Sequence, residues 1–395
     1  MNRRSFILGT CTDALGLMAG ASLLATVAGC RARQQDRLRV KLLKNSIPAQ
    51  MLGQFRKELK QPAVMDFTPV AQLEELFKLL LQLSGAEAPK KPGLLTRLRF
   101  WNSKPEPTPD LVTLGDYWLQ SAIDKNLIQP LNPEQLHRWQ ELPEIWQALV
   151  KRNDRGEADP DGKVWSVPYR WGSTVIVYRR DKFKSLGWEP TDWSDLWREE
   201  LKGRISLLDQ PREAIGLTLK KLGHSYNSEN LYDIPALAEE LHKLHQQTRF
   251  YSDDAYLQPL IEGDTWVALG WSTDVGPAMG RYKLLASVVP QSGTALWADL
   301  WVRPASVTNG DNTLANQWID FCLQKDKAGQ FSLLAKASSP LLSELNPADL
   351  PQALQDNPIL LPDRAILEAS EFLLPLPAAT VAQYQSLWRK ILSYN

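Results

Sequence analysis

No sign of charge dominates this chain: 45 basic and 45 acidic residues cancel to a net charge of zero at pH 7. A nucleic-acid or polyanion partner, which needs an excess of Lys and Arg, is therefore not expected. Cysteine is scarce, with Cys11, Cys30 and Cys322 the three present. If Cys11 is removed with a signal peptide and Cys30 carries lipid, no disulfide framework is possible, and Cys322, in a helical pattern from Leu314 to Leu323, reads as a small buried hydrophobe. Histidine is scarce too, at four residues. His242 and His245 stand three apart with Glu239 beside them, but two imidazoles need a third ligand and an open cavity, so they read as a solvated helix face and no metal is expected. A Gly-x-Ser-x-Gly elbow, a phosphate-binding P-loop, a Gly-x-Gly-x-x-Gly fingerprint and a His-Glu-x-x-His pair are all missing. With no nucleophile constellation and no cofactor motif, no catalytic residue and no cofactor are expected.

What is present is a soluble-protein composition, 44% hydrophobic and 23% charged, over 395 residues, more than one core usually spans. Fifteen Trp are many; most are expected in core and rim packing, although a flat indole also suits a sugar or a cation. The N-terminus is set apart from the fold. Arg3-Arg4-Ser5-Phe6 is a twin-arginine start, Ala14 to Val27 is an apolar run too short for an ordinary membrane span, and Val27-Ala28-Gly29-Cys30 resembles a lipobox. Residues 1–29 thus read as a signal peptide, Cys30 as a lipidation site and 30–37 as a tether.

From Leu38 onward strands and helices alternate, which implies a mostly parallel sheet with helical crossovers. Leu38 to Leu43, Val64 to Phe67 and Asp110 to Leu114 read as strands, with helices from Pro48 to Lys60 and Val70 to Leu83. Ser84 to Pro109, rich in Pro and Lys, interrupts this unit. Inside it Leu94, Leu95, Leu98 and Trp101 fall at helical spacing near Arg97 and Arg99, a short basic amphipathic piece that either packs on its own domain or docks on a membrane or partner. Helices are further expected over Glu134 to Lys151, over Asp192 to Leu201 behind an N-cap at Thr191, and over Leu231 to Thr248.

The chain turns on Val164 to Arg180. Thr174 to Tyr178 is β-branched and apolar, a buried strand, approached through Pro168, Tyr169, Trp171 and Gly172. This reads as a crossover between two α/β lobes with its aromatics facing the cleft. In the second lobe, Asp209 and Glu213 fall between the end of strand Arg204 to Leu208 and the first turn of the next helix. There they either meet a ligand or complement the helix dipole. Trp271 and Asp274 end another strand. On Leu296 to Val302, period 2 puts Trp297, Asp299 and Trp301 on one side, where a carboxylate needs a cationic partner, a ligand or water. Tyr117, Tyr169, Trp171, Asp209, Glu213, Trp271, Asp274, Trp297 and Asp299 are the candidate ligand residues. Aromatic faces and carboxylates together suit a flexible cationic small molecule.

Val167-Pro168-Tyr169-Arg170-Trp171-Gly172-Ser173-Thr174 resembles the interdomain segment of the spermidine/putrescine-binding proteins, the extracytoplasmic components of ABC importers. Trp193-Ser194-Asp195-Leu196-Trp197, Arg212-Glu213 with Lys221-Leu222-Gly223, and Trp297-Ala298-Asp299 follow in the same order. The resemblance implies an α/β, two-lobed type II periplasmic-binding-protein fold with a hinge of crossing strands. Lobe 1 would take 38–174 and 300–336, with the insertion at 84–109, and lobe 2 would take 175–299 and 337–395. It implies a protein, expected to be a monomer, that binds a polyamine or other amine and hands it to an ABC permease; together with the lipobox-like segment this gives a protein held to the membrane by lipid on Cys30, on the periplasmic side. The binding pattern carries over in part: Tyr117, Glu213, Trp271, Trp297 and Asp299 match, while Gln210, Gly115, Leu373 and the segment Leu43 to Ile47 depart. Another solute such as a sugar, or a non-transport lipoprotein with a degenerate cleft, is the alternative.

Overall fold

The computed structural model describes residues 36–85, 107–308 and 313–394. The segment expected to be a signal peptide, Cys30, most of the expected tether and the piece of the insertion expected to be amphipathic lie outside the described residues. Thirteen strands are formed among the described residues: β1 Arg37–Leu43, β2 Val64–Val70, β3 Leu111–Gly115, β4 Ile128–Gln129, β5 Lys151–Arg152, β6 Lys163–Val164, β7 Val167–Arg179, β8 Ile205–Leu207, β9 Thr248–Tyr251, β10 Val267–Trp271, β11 Leu285–Val288, β12 Ala295–Pro304 and β13 Glu371–Phe372.

The main sheet runs β2-β1-β3-β12-β7-β10-β8-β9. Its two outer sets, β2-β1-β3 and β10-β8-β9, are parallel within themselves. Helices Ala49–Glu58 and Leu73–Leu83 supply the crossovers of the first set, as parallel pairing requires. Between the sets lie β12 and β7, both antiparallel to their neighbours in that order. β7 changes partners along its length: Val167 to Ser173 pairs with β12, Thr174 to Tyr178 with β10, and Ile176 to Arg179 with β11. Every residue of β7 before Arg179 is buried, so it carries a near-continuous apolar run rather than an alternating one.

One core gathers Leu38, Val40, Leu111, Val112 and Leu300 under Met51, Phe55, Leu76 and Leu80. A second gathers Ile176, Ile205, Leu207, Val267 and Leu269 with Leu217 and Tyr226. The C-terminal helix Ala378–Leu392 lays Tyr384, Trp388 and Ile391 against Ala214, Ile215 and Leu219. Much of the indole content goes into packing: Trp146, Trp193, Trp301 and Trp318 are among the largest fully buried side chains.

Three expected helices differ. Over 134–151 only Glu144–Val150 is α-helical, because Pro143 opens it and 3-10 turns fill the approach. Over 192–201 there are two 3-10 turns, Trp193–Trp197 and Glu199–Leu201; the first is opened by a capping box between Asp192 and Asp195, so the cap is Asp192 and not Thr191. The third starts at Leu237 instead of Leu231, since Pro235 disfavours the helical conformation at Ile234. Among the described residues no helix is long and apolar enough to cross a membrane.

Candidate functional site

Glu213 lies in the first turn of helix Pro211–Lys221, just past the end of β8, and is 6% exposed. Its Oε1 accepts hydrogen bonds from Thr174 Oγ1 at 3.0 Å and Trp271 Nε1 at 3.3 Å. Its Oε2 is buried with no hydrogen-bond partner among the described residues. Burial pushes this carboxyl above the usual range, opposed by the two hydrogen bonds and by the charge of Arg212. A buried carboxylate with a spare oxygen is costly until a proton, water or cation meets it.

Trp271, partly exposed, closes β10. Its backbone N–H donates to Tyr256 Oη at 3.4 Å, and that hydroxyl donates to Asp274 Oδ2 at 2.6 Å. Asp274 therefore steadies the strand end that presents Trp271. The neighbouring Ser272 Oγ accepts the backbone N–H of Ser173 on β7 at 3.1 Å.

Gly172 of β7 is the point where Trp297 of β12 and Ser272 converge. A Cβ built there would fall 2.3 Å from Trp297 Cζ2 and 2.4 Å from Ser272 Oγ. Gly172→Ala is thus expected to displace the indole and to lower stability by about 1–3 kcal/mol, the usual penalty of overpacking, measurable by urea denaturation.

Beyond Trp297 lies an ion pair. Arg170 Nε meets Asp299 Oδ2 at 2.6 Å, with side chains 6% and 1% exposed. The guanidinium carbon also lies 5.8 Å from the centre of the Trp297 ring. The strand register slips here: Asp299 is opposite Arg170 while Leu300 is opposite Pro168, skipping Tyr169. Such a bulge re-aims side chains, and it accompanies Arg170 on Asp299 next to Tyr169 stacked on Trp301 at 4.2 Å. Burial works against the Arg170 charge, but Asp299 more than offsets it and holds the guanidinium above its ordinary pKa. Asp116, whose Oδ1 accepts from the Ala298 N–H at 3.0 Å, is pushed up to about 7 by burial, with the charge of Asp299 adding to the effect.

Glu213, Trp271, Ser272, Gly172, Trp297, Arg170 and Asp299 thus form one strip across the change of partners in β7. Its polar ends come from opposite halves of the sheet. Residues 106–370 match the family described as bacterial extracellular solute-binding protein. The chain belongs to that family. Its members bind solutes and are not enzymes. The putrescine-binding periplasmic protein PotF of Escherichia coli K12 is 29% identical over 350 residues, 83% of this chain and 85% of its own length. A spermidine/putrescine-binding periplasmic protein of Salmonella typhimurium is 30% identical over 222 residues, 55% of this chain and 60% of its own. The crystal structure of the spermidine/putrescine ABC transporter substrate-binding protein PotD from Streptococcus pneumoniae superposes with a TM-score of 0.75 at 21% identity, covering 91% of this chain and 99% of that one. The fold is the two-lobed periplasmic-binding-protein type, mixed α/β, and β7 is the strand that joins β12 to β10 across the middle of the sheet.

In this solute-binding protein the nine candidate residues fall into two groups. Glu213, Trp271, Trp297 and Asp299 belong to the strip. Tyr169 and Trp171 do not line a cleft: both are buried in the first core, Tyr169 against Trp301 with its hydroxyl 3.1 Å from Thr113 Oγ1, Trp171 against Trp146 with its Nε1 donating to the Ser339 carbonyl at 3.2 Å. Because β7 is covered on both faces, alternation along it separates one core layer from another. Asp209 is exposed and accepts from Trp388 Nε1 at 3.0 Å, so it anchors the C-terminal helix rather than joining Glu213. Asp274 acts through Tyr256. Tyr117, on the 3-10 turn after β3, is 49% exposed. His245 is engaged by Tyr251 and the Tyr394 carbonyl, and among the described residues no cluster of His, Cys, Asp or Glu is suited to a metal. Gly172, Ser272 and Arg170 of the strip, and Asp116 beside it, are not among the nine candidates. The signal for Arg170 was a charge inside an otherwise buried strand, which demands a counter-charge.

Proposed function

We propose that the protein is an exported solute-binding lipoprotein of an ABC importer, which captures a small amine between its lobes and delivers it to a permease. The observation that carries this reading is Glu213, a buried carboxylate with a spare oxygen beside the partly exposed Trp271. An ammonium group there would complete the hydrogen bonding of the carboxylate and lie against the indole face. The names of PotF and its relatives support the ligand class, and the twin-arginine start and the lipobox-like segment ending at Cys30 support export and anchoring on the periplasmic face. Calorimetric titration of the purified protein with putrescine, spermidine and other aliphatic amines tests the ligand class; no heat from any of them sinks it.

Capture requires opening, because Glu213 and Asp299 are nearly sealed. Two lobes joined through β7 and β12 favour a hinge motion about the change of partners at Ser173 and Thr174. Small-angle scattering is expected to give a smaller radius of gyration with bound amine than without. An unchanged radius with a tightly binding amine would argue for a rigid cleft.

A further inference from the structure

We propose that Arg170 is a built-in cation that sets ligand class. The site takes a compound with one ammonium group, held at Glu213, and an oxygen acceptor, carboxylate or amide, at its far end facing Arg170. This deepens the amine-binding reading and rests on it. The two carboxylates of the strip are not equivalent. Glu213 keeps a buried oxygen without a partner, whereas Asp299 is already engaged by Arg170 at 2.6 Å. A diamine reaching from Glu213 past Trp297 would bring its second ammonium to a guanidinium rather than to a free acid. The pair is neutral overall, so a second ammonium finds no net negative charge there and is repelled by whichever guanidinium nitrogens it meets.

Arg170 also has donors to spare. Of its five N–H groups, the one on Nε donates to Asp299 Oδ2 at 2.6 Å and another is drawn to the Tyr169 hydroxyl, which leaves three. A guanidinium whose Nε is committed still presents its Nη edge, a donor fork that fits a carboxylate or a carbonyl oxygen. Between the ends lie Trp297 and Trp271, both partly exposed, whose indoles suit an aliphatic stem; Gly172 lets the Trp297 ring pack down onto β7. Asp116, pushed up to about 7 by burial beside Asp299, carries only part of a negative charge near neutral pH.

The test is calorimetry with putrescine, N-acetylputrescine and 4-aminobutyrate against the wild type, Arg170→Met and the charge-neutral double variant Arg170→Met/Asp299→Asn. Wild type is expected to bind N-acetylputrescine or 4-aminobutyrate about tenfold or more tighter than putrescine, a modest fraction of what one buried charge contact is worth. Arg170→Met, which frees Asp299, should reverse that order. The double variant keeps the proposal testable if the single variant fails to fold; it should lose affinity for both acceptor-bearing compounds without gaining putrescine. Wild type binding putrescine as tightly as the other two, or a preference unchanged in the variants that fold, overturns the proposal and leaves the amine reading standing. Binding of none of the three compounds by any protein overturns both.

Discussion

Asp299→Ala is expected to destabilise the protein by about 3–5 kcal/mol, the usual consequence of removing one partner of a buried ion pair. Its sealed side chain bonds Arg170 within the strip, so the substitution leaves a guanidinium without a counter-ion against the Trp297 ring. Urea denaturation should show a lower midpoint at an unchanged slope. Arg170→Met/Asp299→Asn removes both charges together and should recover most of the loss, because a buried pair replaced by neutral groups is often nearly neutral. The contrast with a ligand anchor is direct. An anchor that waits for a cation is unpaired in the empty protein, and removing it leaves the empty protein as stable as before or more so. A midpoint unchanged in Asp299→Ala, with amine affinity lost, would mean that Asp299 waits for ligand and that the Arg170 pair does not form in solution.

That outcome turns on a contact the sequence could not display. Arg170 and Asp299 are 129 residues apart and meet because β7 and β12 pair with a slipped register. The alternation of Trp297, Asp299 and Trp301 was legible, and so was the need of Asp299 for a partner. Whether the partner was a ligand or the protein itself was not. The fold was more legible than the site. Alternating strands and helices, the apolar run of β7 and the ordered family segments all point to two α/β lobes on crossing strands. Each of these signals is local or repeated. Site geometry depends instead on which side a residue leaves its element. Asp209 and Glu213 are four apart, yet one faces Trp388 on the C-terminal helix and the other Thr174 on β7. Tyr169 and Trp171 flank Arg170 in a strand buried on both faces, so their neighbours cannot be assigned from period 2. Proline positions, by contrast, are legible: Pro143 and Pro235 account for the shortened helices at Glu144 and Leu237.

Glu213→Gln is expected to abolish amine binding while making the empty protein more stable. Losing one member of a buried, hydrogen-bonded charge pair with a ligand ammonium typically costs about 2–5 kcal/mol, roughly thirty-fold to several-thousand-fold in affinity. In the empty protein the same carboxylate is a liability, because burial opposes its charge and Oε2 has no partner among the described residues. A neutral amide of the same shape keeps an acceptor for Thr174 and Trp271 and removes the desolvated charge. A gain of about 1 kcal/mol would raise Tm by roughly 1–2 °C, because the unfolding entropy grows with chain length. The pH dependence follows from the raised carboxyl. Below its elevated pKa, Glu213 is protonated and cannot pair with an ammonium; an aliphatic amine with a pKa near 10 stays charged throughout. Amine affinity of the wild type should therefore rise with pH through that titration and then level off, with protons released on binding along the slope. Stability of the empty wild type should run the other way. The folded state holds the Glu213 proton more tightly than the unfolded chain, so this contribution is fully present below the unfolded carboxyl pKa and is lost as pH rises through the folded one. Glu213→Gln should lack that particular loss. Thermal melts of the empty wild type and variant between pH 4 and 8, paired with amine titrations over the same range, check both slopes. A variant that binds amine like wild type, or a wild-type affinity that falls as pH rises, would remove Glu213 from the site.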